Sequence, residues 1–242
     1  MRCVLLSLLL LGSLAGFAQP RWTFGLQGAF LYSIPQGARN ADKNDFYSQE
    51  DLPTASGGLL VQYRVANRVQ LESGLLLTGI GFRHVFSYTA PSGARLSHGA
   101  NQGFSYFRVP VHLKYALGTV SLPLLKLVQP YVTVGPSILF RTGSASQGMR
   151  YNNNWTASSS IHPFLGAGAH LGFGVQKRMP RGDAWVSSVF GQVGLGPLVE
   201  SQWAYEANGV TYRGKTENRG HFLGTAVAYL FRPYGLRRKS HF

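Results

Sequence analysis

Eight stretches of alternating apolar and small or polar residues run through this chain, joined by connections that are alternately long and short. The long ones cover roughly 34–55, 87–104, 143–161 and 200–219; the short ones fall near 66–68, 118–128 and 178–183. In a membrane-spanning barrel, turns on the inner side need only reverse the chain, while loops on the outer side are free to grow. The layout therefore predicts an all-β fold: a transmembrane antiparallel up-and-down β-barrel of eight strands.

Strand side chains alternate with a period of two, so each strand has a lipid-facing parity and an inner parity. In the first, Trp22, Phe24, Leu26, Phe30 and Tyr32 share one face, and Thr23, Gly25, Gln27 and Ala29 the other. The fourth separates Phe107, Val109, Val111, Leu113 and Tyr115 from Tyr106, Arg108, His112 and Lys114. The sixth alternates apolar residues with Gly166, Gly168, His170, Gly172 and Gly174. The third strand, 69–86, is less regular because Leu75, Leu76 and Leu77 are consecutive, yet Gln70, Glu72 and Thr78 keep one parity. Charges fall on the inner parity, mixed with glycine and serine, which suits a narrow lumen filled by side chains. Arg64, Glu72, Arg108, His112 and Lys114 form the expected lumen charge cluster, with a structural Glu72–Lys114 or Glu72–Arg64 pair, because a buried charge needs a partner. Pro110, Pro136 and Pro197 lie inside strands, and each is expected to mark a bulge or a local break.

Residues 1–18 read as a secretory signal peptide: Arg2 is the positive start, Val4 to Leu14 the apolar stretch, and Gly16-Phe17-Ala18 a small-x-small cleavage site. Cys3 would leave with it, so the exported chain would be held together without disulfides. Residues 19–242 read as one barrel domain, with strands to about 231 and a basic tail over 232–242 that carries Arg237, Arg238 and Lys239. The formal charge is +14, but the cations are scattered. Contact with outer-membrane lipids and lipopolysaccharide fits this pattern better than nucleic acid.

Two segments carry a resemblance. Phe107-Arg108-Val109-Pro110-Val111-His112-Leu113-Lys114-Tyr115 and Gln129-Pro130-Tyr131-Val132-Thr133-Val134-Gly135-Pro136-Ser137 resemble consecutive strands of the outer-membrane barrel proteins of Bacteroidota, a group that includes the PorT-like proteins. Phe164 to Gly174 is similar to the next strand of that family. The resemblance implies an integral barrel of the cell outer membrane with both termini in the periplasm. Members end at the aromatic residue of the last strand, here Phe231, whereas this chain continues to Phe242, which leaves two candidate terminal aromatics.

Chemistry is sparse. Only nine acids are present, four of them (Asp42, Asp45, Glu50, Asp51) in the first long connection. His84, His98, His162 and His221 are expected near the outer rim, where an acid–histidine pair would be needed for hydrolysis of lipid A or a peptide. No Ser-His-acid, paired-aspartate or close metal-ligand spacing accompanies them, so neither catalytic residues nor a cofactor nor a metal is assigned. Arg181-Gly182-Asp183 sits in a short turn, where Gly and Asp are ordinary. Asn154-Trp155-Thr156 and the Gly166-Ala167-Gly168 stretch are chance matches to modification and dinucleotide motifs. The long connections are rich in Tyr, Ser, Gly and Asn, a composition suited to contact surfaces. Tyr151, Trp155, Trp203, Tyr205 and Tyr212 are the candidate contacts, and Asn208-Gly209 between two aromatic segments predicts a hairpin. The expected role is structural or surface-interacting and non-enzymatic. An accessory part in a secretion or transport complex is the alternative, an outer-membrane hydrolase the second, and envelope or secretion-system proteins are candidate partners.

Overall fold

Period-two alternation over ten or more residues gives a strand that is apolar on one side only, and eight such strands bury their polar faces by closing on themselves. The computed structural model describes residues 21–34, 47–89, 92–122, 126–141, 146–151, 155–161, 165–180, 182–207 and 210–231. The expected signal segment, the tail 232–242, Asp42, Asp45, His162 and Arg181 lie outside the described residues. Fourteen strands follow in chain order among the described residues. Eight form the barrel: β1 (Trp22–Ser33), β3 (Thr54–Arg64), β4 (Val69–Thr89), β5 (Arg95–Ala116), β7 (Lys126–Arg141), β10 (Leu165–Arg178), β11 (Ala184–Gly194) and β14 (Phe222–Phe231). Each pairs antiparallel with its neighbours in the order β10-β11-β14-β1-β3-β4-β5-β7, and pairing of β7 with β10 closes the cylinder.

The register fixes the geometry of closure. Following paired neighbours from Thr23 of β1 leads through Gln62, Glu72, His112, Gly135, His170, Gln192 and Phe222 back to β1 at Ser33, ten residues beyond the start. The step from His112 to Gly135 follows the flanking pairs Pro110–Ser137 and Leu113–Val134. Such a stagger tilts the strands, and an eight-stranded interior is about wide enough for side chains.

Burial is inverted relative to a water-soluble protein. Leu171 is 63% exposed and Arg108 only 1%. The alternating parities are borne out strand by strand, and Leu75 and Leu77 point outward while Leu76 turns into the lumen. An aromatic belt surrounds the short-turn end: Trp22 lies 4.7 Å from Tyr63 and Trp185 5.2 Å from Tyr229, ring to ring. Arg21 donates to the Tyr63 hydroxyl and Tyr229 donates to Asp183, so the polar tips are satisfied while the rings stay in the apolar band.

Three long connections are more ordered than expected. The segment 87–104 is mostly strand: β4 and β5 continue as one hairpin to Thr89 and Arg95, and 21 residues of β4 span about 70 Å. The segment 34–55 contains β2 (Tyr47–Leu52), which pairs with β4 and prolongs the line of β3. Between them the register slips by one residue around Pro53: Leu52 faces Gly81, but Ser56 faces Thr78. That is a bulge at a residue that cannot donate to the ladder. β8 (Ser146–Tyr151) and β9 (Trp155–Ile161) form a hairpin, as do β12 (Val199–Ala207) and β13 (Val210–Asn218), the latter where Asn208-Gly209 predicted it. β9 and β12 pair with each other, giving a separate four-stranded sheet. At the short-turn end, β6 (Val120–Leu122) pairs with the start of β7.

The prolines break the ladder without shifting it. Pro110 keeps one register on both flanks, with paired residues missing beside it on the β4 and β7 sides. Pro136 pairs in register with Ala169 of β10. Pro197 lies between β11 and β12, where the chain leaves the barrel. Gly182, at φ 91°, lies in the turn where the Met179 amide donates to the Asp183 carbonyl and the Gly182 amide to the Met179 carbonyl.

If the Leu171 face meets hydrocarbon, Leu171→Arg lowers folding stability by about 2–4 kcal/mol. Denaturant titration of folding into phospholipid vesicles measures this, and a change near zero would contradict the assigned face.

Candidate functional site

The inner parities of all eight barrel strands converge on a chamber in the lumen. Its polar wall includes Gln62, Glu72, Arg108, His112, Thr133 and His170; its apolar wall includes Leu60, Leu76, Val186, Phe190, Ala226 and Ala228. The chamber has about 30 Å³ of room for water centres, enough for one or two waters. Toward the short-turn end it is bounded by Leu60, Leu76, Tyr131, Ala184, Val186, Ala228 and Leu230. Toward the long loops stand Leu31, Phe190, Phe222 and Ala226, and beyond them Ile80, Phe82, Phe104, Tyr106, Leu139, Leu198 and Val199.

Four of the five expected cluster residues, Glu72, Arg108, His112 and Lys114, are in or beside this chamber, while Arg64 lies at the short-turn end of β3, partly exposed. The expected Glu72–Lys114 contact is replaced. Glu72 accepts from Gln62 Nε2 at 2.6 Å and lies 3.8 Å from His112 Nδ1. Lys114 instead donates to Gln176 at 2.9 Å and rests 4.0 Å above the centre of the Tyr131 ring. The cause is register: the residue opposite Glu72 is His112, and the one opposite Lys114 is Gln70. The side chain nearest the Glu72 carboxylate after Gln62 is therefore the one directly across the ladder.

A second feature was not assigned from sequence. The rings of His112 and His170 stack at 3.8 Å, 17° from parallel, although their strands are separated by β7. Gly135 lies between them in the row, and a side chain there would collide with the backbone of Val111 and His112. Absence of a side chain at Gly135 lets the two imidazoles lean together. Phe190 stacks on the far side of His170 at 5.2 Å, and Arg108 lies over the rings of Phe190 and Phe222 at 5.5 and 5.4 Å. Ser137 and Thr133 hydroxyls bond the Nε2 atoms of His112 and His170. The inner parity of His170 was the available signal.

Glutamines meet the charges. Gln62 donates to Glu72, Gln176 accepts from Lys114, and Gln192 accepts from Arg108 at 3.2 Å. An amide can donate or accept, so it serves either sign. Among the described residues, no group of three or more His, Cys, Asp or Glu side chains could hold a metal.

Of the rim histidines, the described side chains of His84 and His221 make separate contacts. His84, expected near the outer rim, is fully buried inside the β4–β5 hairpin and donates to Gln102 at 3.0 Å, because its inward parity continues past the barrel. His221 Nδ1 accepts from the Gly194 amide, and burial followed by the nearby Arg219 charge lowers its pKa. His98 is in β5, paired through its backbone with Phe86. Of the candidate loop contacts, Trp203 is buried 5.9 Å from Phe86, joining the outer sheet to the β4–β5 hairpin. Tyr151, Trp155, Tyr205 and Tyr212 are placed by their backbones in β8, β9, β12 and β13, with Tyr205 opposite both Trp155 and Tyr212. On that sheet Lys215 bridges Glu200 at 2.8 Å and Glu217 at 3.5 Å, and the Glu200 hydrogen bond raises its pKa.

Removing the lumen carboxylate isolates two buried cations. Glu72→Gln is expected to cost on the order of 3 kcal/mol of stability, read as a lower denaturation midpoint in detergent. An unchanged midpoint would mean that the carboxylate does not offset the lumen cations.

No curated protein matches the chain. Among solved structures it is similar to OprG of Pseudomonas aeruginosa, at 15% identity and TM-score 0.48 over 89% of this chain and 99% of that one. It is similar also to AlkL, solved by solid-state NMR in lipid bilayers, at 13% identity and TM-score 0.48 over 90% and 93%. The N-terminal barrel of Pseudomonas aeruginosa OprF follows at 12% identity and TM-score 0.36 over 88% and 98%. A family model described as "outer membrane protein beta-barrel domain" matches residues 17–198. The chain, a closed eight-stranded barrel with an apolar outer face, belongs to that outer-membrane family.

Proposed function

We propose that this outer-membrane protein is non-enzymatic and works through the ordered sheet at its loop end, with a lumen too filled to pass solutes. The observation that carries this reading is the division of labour in the chain. Two apolar clusters bracket the chamber, while β8, β9, β12 and β13 build a sheet outside the barrel and Trp203 anchors it on Phe86. A channel has no need of a second sheet; a contact surface is served by one whose shape is held by backbone pairing. Envelope proteins, lipid and lipopolysaccharide head groups are the partners in this reading. The sheet's face exposes Thr211, Arg213 and Lys215.

Barrel strands begin and end at the short-turn end, at Trp22 and Phe231. This reading puts that end, with both termini, in the periplasm, and the second sheet outside the cell. A PorT-like accessory role in secretion is the second reading. It is favoured by the side-by-side position of the two motif strands, β5 and β7, whose shared ladder is interrupted beside Pro110 and Gly135. Loss of secreted proteins on gene deletion, restored by the wild-type gene, would support it over the first.

Two tests follow. Proteoliposomes should swell in sugars and amino acids no faster than protein-free liposomes; solute-selective swelling would overturn the filled lumen. Since Cys3 is the one cysteine in the sequence, single Thr211→Cys and Asn67→Cys variants report orientation. An impermeant maleimide is expected to label Thr211→Cys on intact cells and Asn67→Cys only after permeabilisation. The reverse pattern would invert the barrel.

A further inference from the structure

We propose that the lumen chamber is a binding site for one halide-sized monovalent anion, held by Arg108 and His170. The first ground is charge. Arg108 is 1% exposed, and a guanidinium stays protonated in a protein. Its contacts are the Phe190 and Phe222 rings and the neutral Gln192 carbonyl, and no carboxylate of the described residues lies within 4 Å. Rings and an amide lower the cost of burying the cation but do not neutralise it. Among the described residues the lumen holds two fixed cations, Arg108 and Lys114, against one carboxylate, Glu72, so one positive charge remains.

The second ground is hydrogen bonding. Arg108 Nε is buried without a partner, and so is His170 Nδ1. With Thr133 donating its hydroxyl proton to His170 Nε2, 3.1 Å away, the ring proton sits on Nδ1 and that atom becomes a donor. Both residues line the same chamber. Two orphaned donors and an unbalanced cation ask for an acceptor that carries negative charge.

The third ground is size. A chamber with about 30 Å³ of room for water centres takes one or two waters, and hence a chloride or bromide ion. A phosphate or an organic acid, several heavy atoms larger, does not fit without moving Phe190 or His170. Water alone would satisfy the donors but leave the charge.

The test uses the full barrel refolded in detergent in sodium bromide or chloride, against sodium gluconate at equal ionic strength. A bound halide lowers the unfolding equilibrium constant by a factor of one plus concentration over Kd, roughly tenfold at ten times Kd. The effect is expected to grow with halide concentration by that factor in the wild type and to vanish in Arg108→Gln. No halide-specific stabilisation, or an equal one in Arg108→Gln, would overturn the proposal. Should Arg108→Gln fail to fold, crystals of the wild type grown in bromide decide the matter. An anomalous peak in the chamber within hydrogen-bonding distance of Arg108 Nε supports the site, and a chamber holding only water refutes it.

Discussion

Closure of the ladder with a ten-residue stagger determines which inward side chains can meet. Because the strand period is two, a slip of one residue in any of the eight pairings would send that strand's polar set into the lipid and its leucines into the lumen. The register is therefore held by both faces at once. It also sets the row that crosses from Gln62 through Glu72, His112 and Gly135 to His170 and Gln192, which brings side chains from five strands into one line across the bare backbone of Gly135. Neither the stacked histidines nor the chamber beside them exists without that row.

How much of this was legible depends on what each stretch of chain has to contrast with. Within the hydrocarbon zone, lipid on one side and a polar lumen on the other write a strong alternation, as in Phe107 to Tyr115, and both strand and facing follow from residue type. Above it the outer face meets water. Residues such as Ser97, Gly99, Asn101 and Gly103 then carry no apolar stripe, and the continuation of β5 is invisible although its backbone pairs fully with β4. The same holds for Ser158, Ser159 and Ser160 of β9, whose strand is defined by pairing with β12. Facing could be read from parity, but partners could not. Glu72 and Lys114 share the inner face, yet one ladder step separates them, and that step replaces an expected pair with His112 on one side and Gln176 on the other.

The loop end shows how the second sheet is fixed to the barrel. Phe82 and Phe86 continue the inward parity of β4 past the membrane zone, where they would be exposed if nothing covered them. Val199 at the start of β12 joins the same cluster as Phe82, and Trp203 packs on Phe86. Burying that apolar surface packs β12 onto the β4–β5 hairpin, at about 25 cal/mol per Å² of apolar surface removed from water. The outer sheet and the β4–β5 hairpin thus share one packing event, so a loosened outer sheet would also uncover Phe82 and Phe86.

The lumen's chemistry follows from the scarcity of space and of acid. With Glu72 as the buried carboxylate between Lys114 and Arg108, the interior leans on glutamine: Gln62, Gln176 and Gln192 each reach a charged group from another strand. An amide satisfies a charged group's hydrogen bonds at modest cost because it can present either its carbonyl or its amine. It cannot cancel the charge, and in a narrow low-dielectric cylinder the uncancelled field is felt across the whole cross-section. A barrel filled with amides is therefore well hydrogen-bonded and electrically unbalanced at once. That imbalance, concentrated at Arg108 between two phenyl rings, makes a small chamber with orphaned donors a site for an anion, where a balanced lumen would have held only water.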